Sequence, residues 1–202
     1  FSSLNLLIED PATFVTNQSD AIITTITPVS QGISFMNLLT SFAITSAIHE
    51  SIIDASSRDG TENQTDSTWD NTVVQWGKSA VPKTLNAGLT FRSVWLPKAA
   101  TITTAYLFLT AKGTNSNAVN ANIYGTLNAM AGSFSSTVRP STISKTVASV
   151  AWNRTAQTDL AVMQSPDIAT IVNELQDQSN WRSGNRMQFQ IADNASATGA
   201  FA

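Results

Sequence analysis

From about residue 51 onward the chain breaks into short alternating or β-branched runs, each closed by a polar turn. That spacing constrains the fold more than any other feature of the sequence. Residues 51–56, 72–76, 89–96, 101–111, 118–125, 146–152 and 187–191 read as strands. In 89–96 (LTFRSVWL), Leu89, Phe91 and Ser93 alternate against Thr90, Arg92 and Val94. Residues 101–111 (TITTAYLFLTA) are apolar on both faces, which predicts a central strand. Residues 58–70 (RDGTENQTDSTWD) read as a polar loop, and 97–100 and 113–116 as turns. One helix is marked: Ser165 at the N-cap, Pro166 at the first helical position, Asp167 at the positive end, then the stripe Ile168, Ile171, Val172 and Leu175. Trp181 is placed to anchor the loop that follows.

Many short antiparallel strands with a lone helix in a connection predict an all-β chain, an antiparallel jelly-roll β-sandwich with one short helix. Residues 1–47 differ in character and predict a separate N-terminal apolar segment ahead of a module at 48–202. Residues 21–27 (AIITTIT) read as a strand. Residues 34–49 read as a helix, with Phe35, Leu38, Leu39 and Phe42 on one apolar face. Such a segment has little means of covering its own apolar side chains, so it is expected to dock on the module or on a neighbouring subunit. Those four residues are the candidate assembly contacts.

Composition narrows the function. Charged residues are 12% of the chain, about half the ~25% usual for soluble domains, and Ser, Thr, Asn, Gln and Ala take their place. Hydroxyl- and amide-rich surfaces suit extracellular, cell-surface and virion proteins. Net charge is −3, and the 11 Lys and Arg form no basic stripe, which argues against nucleic acid as a partner. No apolar run is long enough to insert in a bilayer. Without Cys there are no disulfides, thiolate metal sites or thiol nucleophiles.

Four stretches follow one another in a familiar order: FRSVWLPKAATITTAYLFLTAKG, VNANIYGTLNAMAGSFSST, TVASVAWN and SPDIATIVNELQDQSNWRSGNRMQFQI. Together they resemble a jelly-roll, carbohydrate-binding-module-like domain of secreted or cell-surface bacterial proteins and some phage proteins. Residues 94–102 match the family's Pro-x-Gly-Ala turn, with Ala99 where the family has Gly. Residues 123–125 match its Ile-Tyr-Gly strand end, and Pro166, Asp167 and 181–185 its helix start and Trp-x-Ser-Gly-Asn stretch. The resemblance covers residues 51–202, and its motifs are structural, so it bears on fold more than on function. The family pattern continues into one more strand. Here the N-terminal zone or a neighbouring chain is expected to fill that position.

No catalytic constellation is apparent. The single His, His49, stands beside Glu50 with no nucleophile motif near it, and the chain is not expected to be an enzyme. Asp54, Asp59, Glu62 and Asp66 crowd one polar stretch with Gly60, Asn63 and Gln64, a candidate structural calcium site. No other cofactor is expected. Sugars stack on exposed aromatic faces flanked by amides and carboxylates, and Trp69 and Trp76 with Asp70 and Asn71 are the candidate platform. Trp95 and Trp152 sit in strand patterns and read as core.

The expected function is that of a structural or assembly module in an extracellular, cell-surface or virion assembly, such as a decoration, fibre, tail or surface-appendage subunit. Its partners would be copies of itself, as a homo-oligomer, or neighbouring structural subunits. A glycan-binding or adhesion module is the alternative, and an accessory domain of a secreted hydrolase the second alternative.

Overall fold

A computed structural model describes residues 5–10, 47–53, 55–128, 130 and 132–202. Four strands make the first sheet: β1 (Asn5–Asp10), β2 (Ala47–Ile52), β7 (Thr104–Thr110) and β10 (Val162–Gln164), in the order β10-β7-β1-β2. The second holds β3 (Asp59–Asn63), β4 (Thr68–Asp70), β6 (Thr84–Val94), β8 (Ala121–Thr126), β9 (Lys145–Ala151) and β11 (Asn185–Asp193). Its order is β4-β3-β6-β11-β8-β9, with the short β5 (Gly77–Lys78) also on β6. Every ladder is antiparallel, and the fold is all-β and sandwich-like. Period-2 alternation explains the core. Leu89 and Phe91 of β6, Phe189 and Ile191 of β11, Ile123 of β8 and Leu107 of β7 are all buried in one cluster.

The helix α1 (Ala169–Gln176) puts Ile171, Val172 and Leu175 into that core, as the stripe predicts. Leu175 packs on Gly125 of β8, where a Cβ would come within 2.7 Å of the leucine side chain. The helix starts later than the sequence suggests, with Ile168 at the N-cap. The hydroxyl of Ser165 instead accepts the Leu107 N–H at 2.9 Å, beside the end of the β10 ladder. A backbone N–H in the core must find a partner, and that demand outranks capping. The carboxylate of Asp167 takes over at the helix start, accepting the N–H groups of Ala169 and Ala105, each at 2.9 Å. Trp181 anchors the next loop, its indole N–H donating to the Leu96 carbonyl at 3.0 Å.

Other expectations need correction. Residues 58–70 are not an open loop but the β3–β4 hairpin, because Gly60 leaves room for the Trp69 ring across the ladder. The strand expected at 51–56 lies earlier, as β2, so 47–49 are strand rather than helix. Residues 72–75 belong to no ladder; Thr61 holds them, its hydroxyl donating to the Val73 carbonyl and accepting the Gln75 N–H. Trp76 pairs with the chain end, exchanging both backbone hydrogen bonds with Ala202. β7 is interior to its sheet but buries only one face fully, through Ala105, Leu107 and Leu109. Trp95 is not core: it is 61% exposed. Ser93 takes a left-handed φ of 53° where the β6–β11 register slips between Asn185 and Met187, and the slip turns Trp95 outward onto Gly184. The strand at 21–27, and 34–46 of the expected helix, lie outside the described residues.

Ala99 has φ 60° in the turn closed by the Ala100 N–H and the Pro97 carbonyl. This is the third position of a type II turn, where a Cβ is strained. Ala99→Gly is expected to stabilise the protein by about 1 kcal/mol, raising Tm by about 3 °C in a thermal melt.

Candidate functional site

The outer face of the second sheet is unusual because it too is closed off. Asn86, Thr90, Gln188 and Gln190 are buried there, on the side of the sheet opposite the core. The segment 132–142 lies over them. Phe134 and Pro140 sit so close to Gly88 that a Cβ would meet them at 2.7 and 2.9 Å. Gln188 Nε2 donates to Thr90 Oγ1 at 3.0 Å and to the Gly132 carbonyl at 2.7 Å.

Glu62 latches this cover. It is 1% exposed, and its carboxylate accepts the Ser141 N–H at 2.9 Å and the Ser141 hydroxyl. Arg139 Nε stands 3.3 Å from the same carboxylate. A carboxylate committed in this way has little left to offer a cation. Asp59 and Glu62 are three positions apart in β3 and so face opposite sides of the sheet. Asp66 pairs with Lys83 and Asn63, and Lys83 above all holds its carboxyl below the ordinary range. Of the proposed calcium ligands, Asp54 lies outside the described residues, and no group of three potential metal ligands forms among those described. Burial pushes the carboxyl of Asp59 up to about 6 from 3.8.

The aromatic platform divides. Trp76 is buried and stacks on Trp152, centroids 5.3 Å apart at 23°, so it presents no ring face to a sugar. Trp69 is half-buried, tilted against Phe134 at 5.8 Å as part of the cover. Asp70 and Asn71 are exposed. Asp70 closes a local turn on the N–H and hydroxyl of Thr72, which lower its pKa. The candidate assembly residues Phe35, Leu38, Leu39 and Phe42 lie outside the described residues, and of His49 only the strand position, opposite Ile8, is described.

Two features were not located by the sequence, which offered the N-terminal zone for an open strand position without marking 5–10 as a strand. The first is the placement of β1. It pairs with β2 from Asn5↔Ile52 to Asp10↔Ala47 and with β7 from Asn5↔Phe108 to Glu9↔Thr104. It therefore fills an interior position of the first sheet, and its pairing with β2 runs up to Asp10↔Ala47. The second is a groove of about 400 Å³ at the edge where β9 and β10 end their sheets, around Arg154. No protein-family model, curated protein or solved structure matches this chain.

Two outcomes follow from these carboxylates. For Asp59 the folded-state pKa lies above the unfolded one, so the native state binds the proton more tightly. Its contribution is full below about pH 4 and is lost as pH rises through about 6. Asp59→Asn should therefore gain about 1 kcal/mol over the wild type at about pH 8, a value discounted for partial exposure, and little at about pH 4 in urea melts. Glu62→Gln leaves Arg139 facing a neutral group and should lose about 3 kcal/mol by the same measurement.

Proposed function

We propose that this chain is a non-enzymatic structural module, built on a carbohydrate-binding-module-like jelly roll, that assembles with copies of itself or neighbouring subunits in an extracellular or virion particle. One observation carries the reading. The apolar stretch 11–46 is inserted between two strands that are paired up to its very ends, Asp10 and Ala47. Paired antiparallel strands need a turn of only about 2–5 residues, and connections longer than about 15 generally serve a function of their own. A long excursion rich in Phe, Leu and Ile, tethered at both ends to one sheet, suits an arm that docks on a neighbour.

Further support comes from the second sheet and its turns. The left-handed Ala99 falls where the resembled family places Gly. Among the described residues, the carboxylates that crowd β3 and its turn are engaged in local contacts or divided between opposite faces of the sheet. The low-charge surface, rich in hydroxyls and amides, suits close contact between subunits with little desolvation of ions.

The register supplies the experiment. Replacing residues 11–46 by Asn-Gly keeps β1 in place, since a two-residue turn can join Asp10 to Ala47. Light scattering should give a multimer for the full chain and a monomer for the shortened one, with the same β-rich circular dichroism. A full chain that stays monomeric at every concentration, or a shortened chain that assembles equally well, would overturn the proposal.

A further inference from the structure

The groove between the sheet edges is lined by Trp152, Asn153, Arg154, Thr155, Gln164 and Pro166. Two strands position it. The chain leaving β9 is pinned to Val119, which lies just ahead of β8 and exchanges both backbone hydrogen bonds with Arg154 at 2.7 and 2.8 Å. β10 closes the other wall, where Gln164 pairs with Phe108. The indole of Trp152 is fixed beneath by its stack on Trp76. The walls are therefore rigid before any ligand arrives, which limits the ordering cost of binding.

Arg154 is the one charge among these lining residues. Its guanidinium is partly desolvated: Nε is buried without a hydrogen-bond partner, and one terminal nitrogen reaches only the Ala156 carbonyl, at 3.2 Å. Burial alone lowers its pKa, and no carboxylate pairs with it among the described residues. A half-buried guanidinium without a counter-charge is unfavourable unless something supplies one. Its fork suits a carboxylate, which takes two parallel hydrogen bonds. A phosphate would call for more positive charge than a lone arginine on a chain of net charge −3 provides.

The rest of the lining is neutral and polar. The side chains of Asn153, Thr155 and Gln164 are exposed and make no hydrogen bond among the described residues. Two amides and a hydroxyl around one cation, beside an exposed proline ring, match a molecule with one carboxylate, several hydroxyls and an apolar C–H face. We propose that this groove binds the uronic-acid unit of an acidic saccharide, with Arg154 on the carboxylate and Asn153, Thr155 and Gln164 on the hydroxyls. The site differs from the Trp69 surface and does not depend on the assembly role.

The test is an NMR titration of the full chain with methyl glucuronide, methyl glucoside and glutamate. Glucuronide should shift the amides of 152–156 and 164 saturably, with glucoside at least about tenfold weaker because it lacks the charged partner. Arg154→Gln should bring glucuronide down to the affinity of glucoside while leaving the thermal melt unchanged. Should that variant unfold, Gln164→Ala, at an exposed edge position, should still weaken both sugars severalfold. No saturable shift with glucuronide, equal affinity for glucuronide in Arg154→Gln, unchanged affinity for both sugars in Gln164→Ala, or glutamate binding as tightly as glucuronide would each overturn the proposal.

Discussion

The pairing of β6 with β11 sets the two longest strands side by side in the middle of the second sheet, and the other layers are built outward from it. On the inner face Phe91 meets Phe189 edge to face, centroids 5.9 Å apart at 77°, within a core that takes in the first sheet and α1. On the outer face the same strands offer Asn86, Gly88, Thr90, Gln188 and Gln190, and the cover segment closes over them. A strand pair buried on both faces loses contact with water through its middle, here from Leu85 to Phe91 and from Met187 to Ile191. Its register then becomes strongly specified, because a slip of one residue would exchange the apolar and polar sets. Where the register does slip, at Ser93, the bulge sits at the end of β6, and it decides which way Trp95 points.

How much of this was legible in the sequence depends on how local the deciding contact is. The stripe Ile168, Ile171, Val172 and Leu175 could be read because helical spacing is a property of neighbours in the chain. The strands within 89–96, 101–111 and 187–191 showed themselves for the same reason. Trp95 could not be assigned correctly, since the bulge that turns it out is set against Asn185 and Met187, far along the chain. Trp76 looked like a surface residue from its polar neighbours, yet its environment is made by Trp152 and by the backbone of Ala202. Ser165 carried a sound capping signal, and the Leu107 N–H of another strand claimed its hydroxyl.

The acidic stretch from Asp59 to Asp66 shows why carboxylate counts mislead in β-structure. A loop would allow such residues to converge on one point. A hairpin deals successive side chains to opposite faces, and the three described acids end in three environments. Asp59 is half-buried, Glu62 is enclosed under the cover, and Asp66 lies in the turn with Lys83. What separates a hairpin from a loop here is Gly60, whose missing side chain admits the Trp69 ring. The groove at Arg154 was invisible for a related reason. Its two walls belong to different sheets, and nothing in residues 152–156 refers to Gln164 or Pro166.

The interior position of β1 imposes an order on how the chain can reach its native state. Asn5 pairs with Ile52 on one side but with Phe108 on the other, so β1 gains its second partner only after the chain as far as Phe108 has been synthesised. Non-local pairings of this kind are slow to form, because the entropy of closing the intervening chain must be overcome before the contact is made. Until β7 arrives, the β1–β2 hairpin is a two-stranded ribbon, which is only marginally stable in water by itself. During that interval its free edge can take up any compatible strand, including the β7 of another nascent copy. A cell making this protein therefore faces a choice between intramolecular closure and exchange between chains. The local concentration of nascent chains weights that choice before any folded subunit exists.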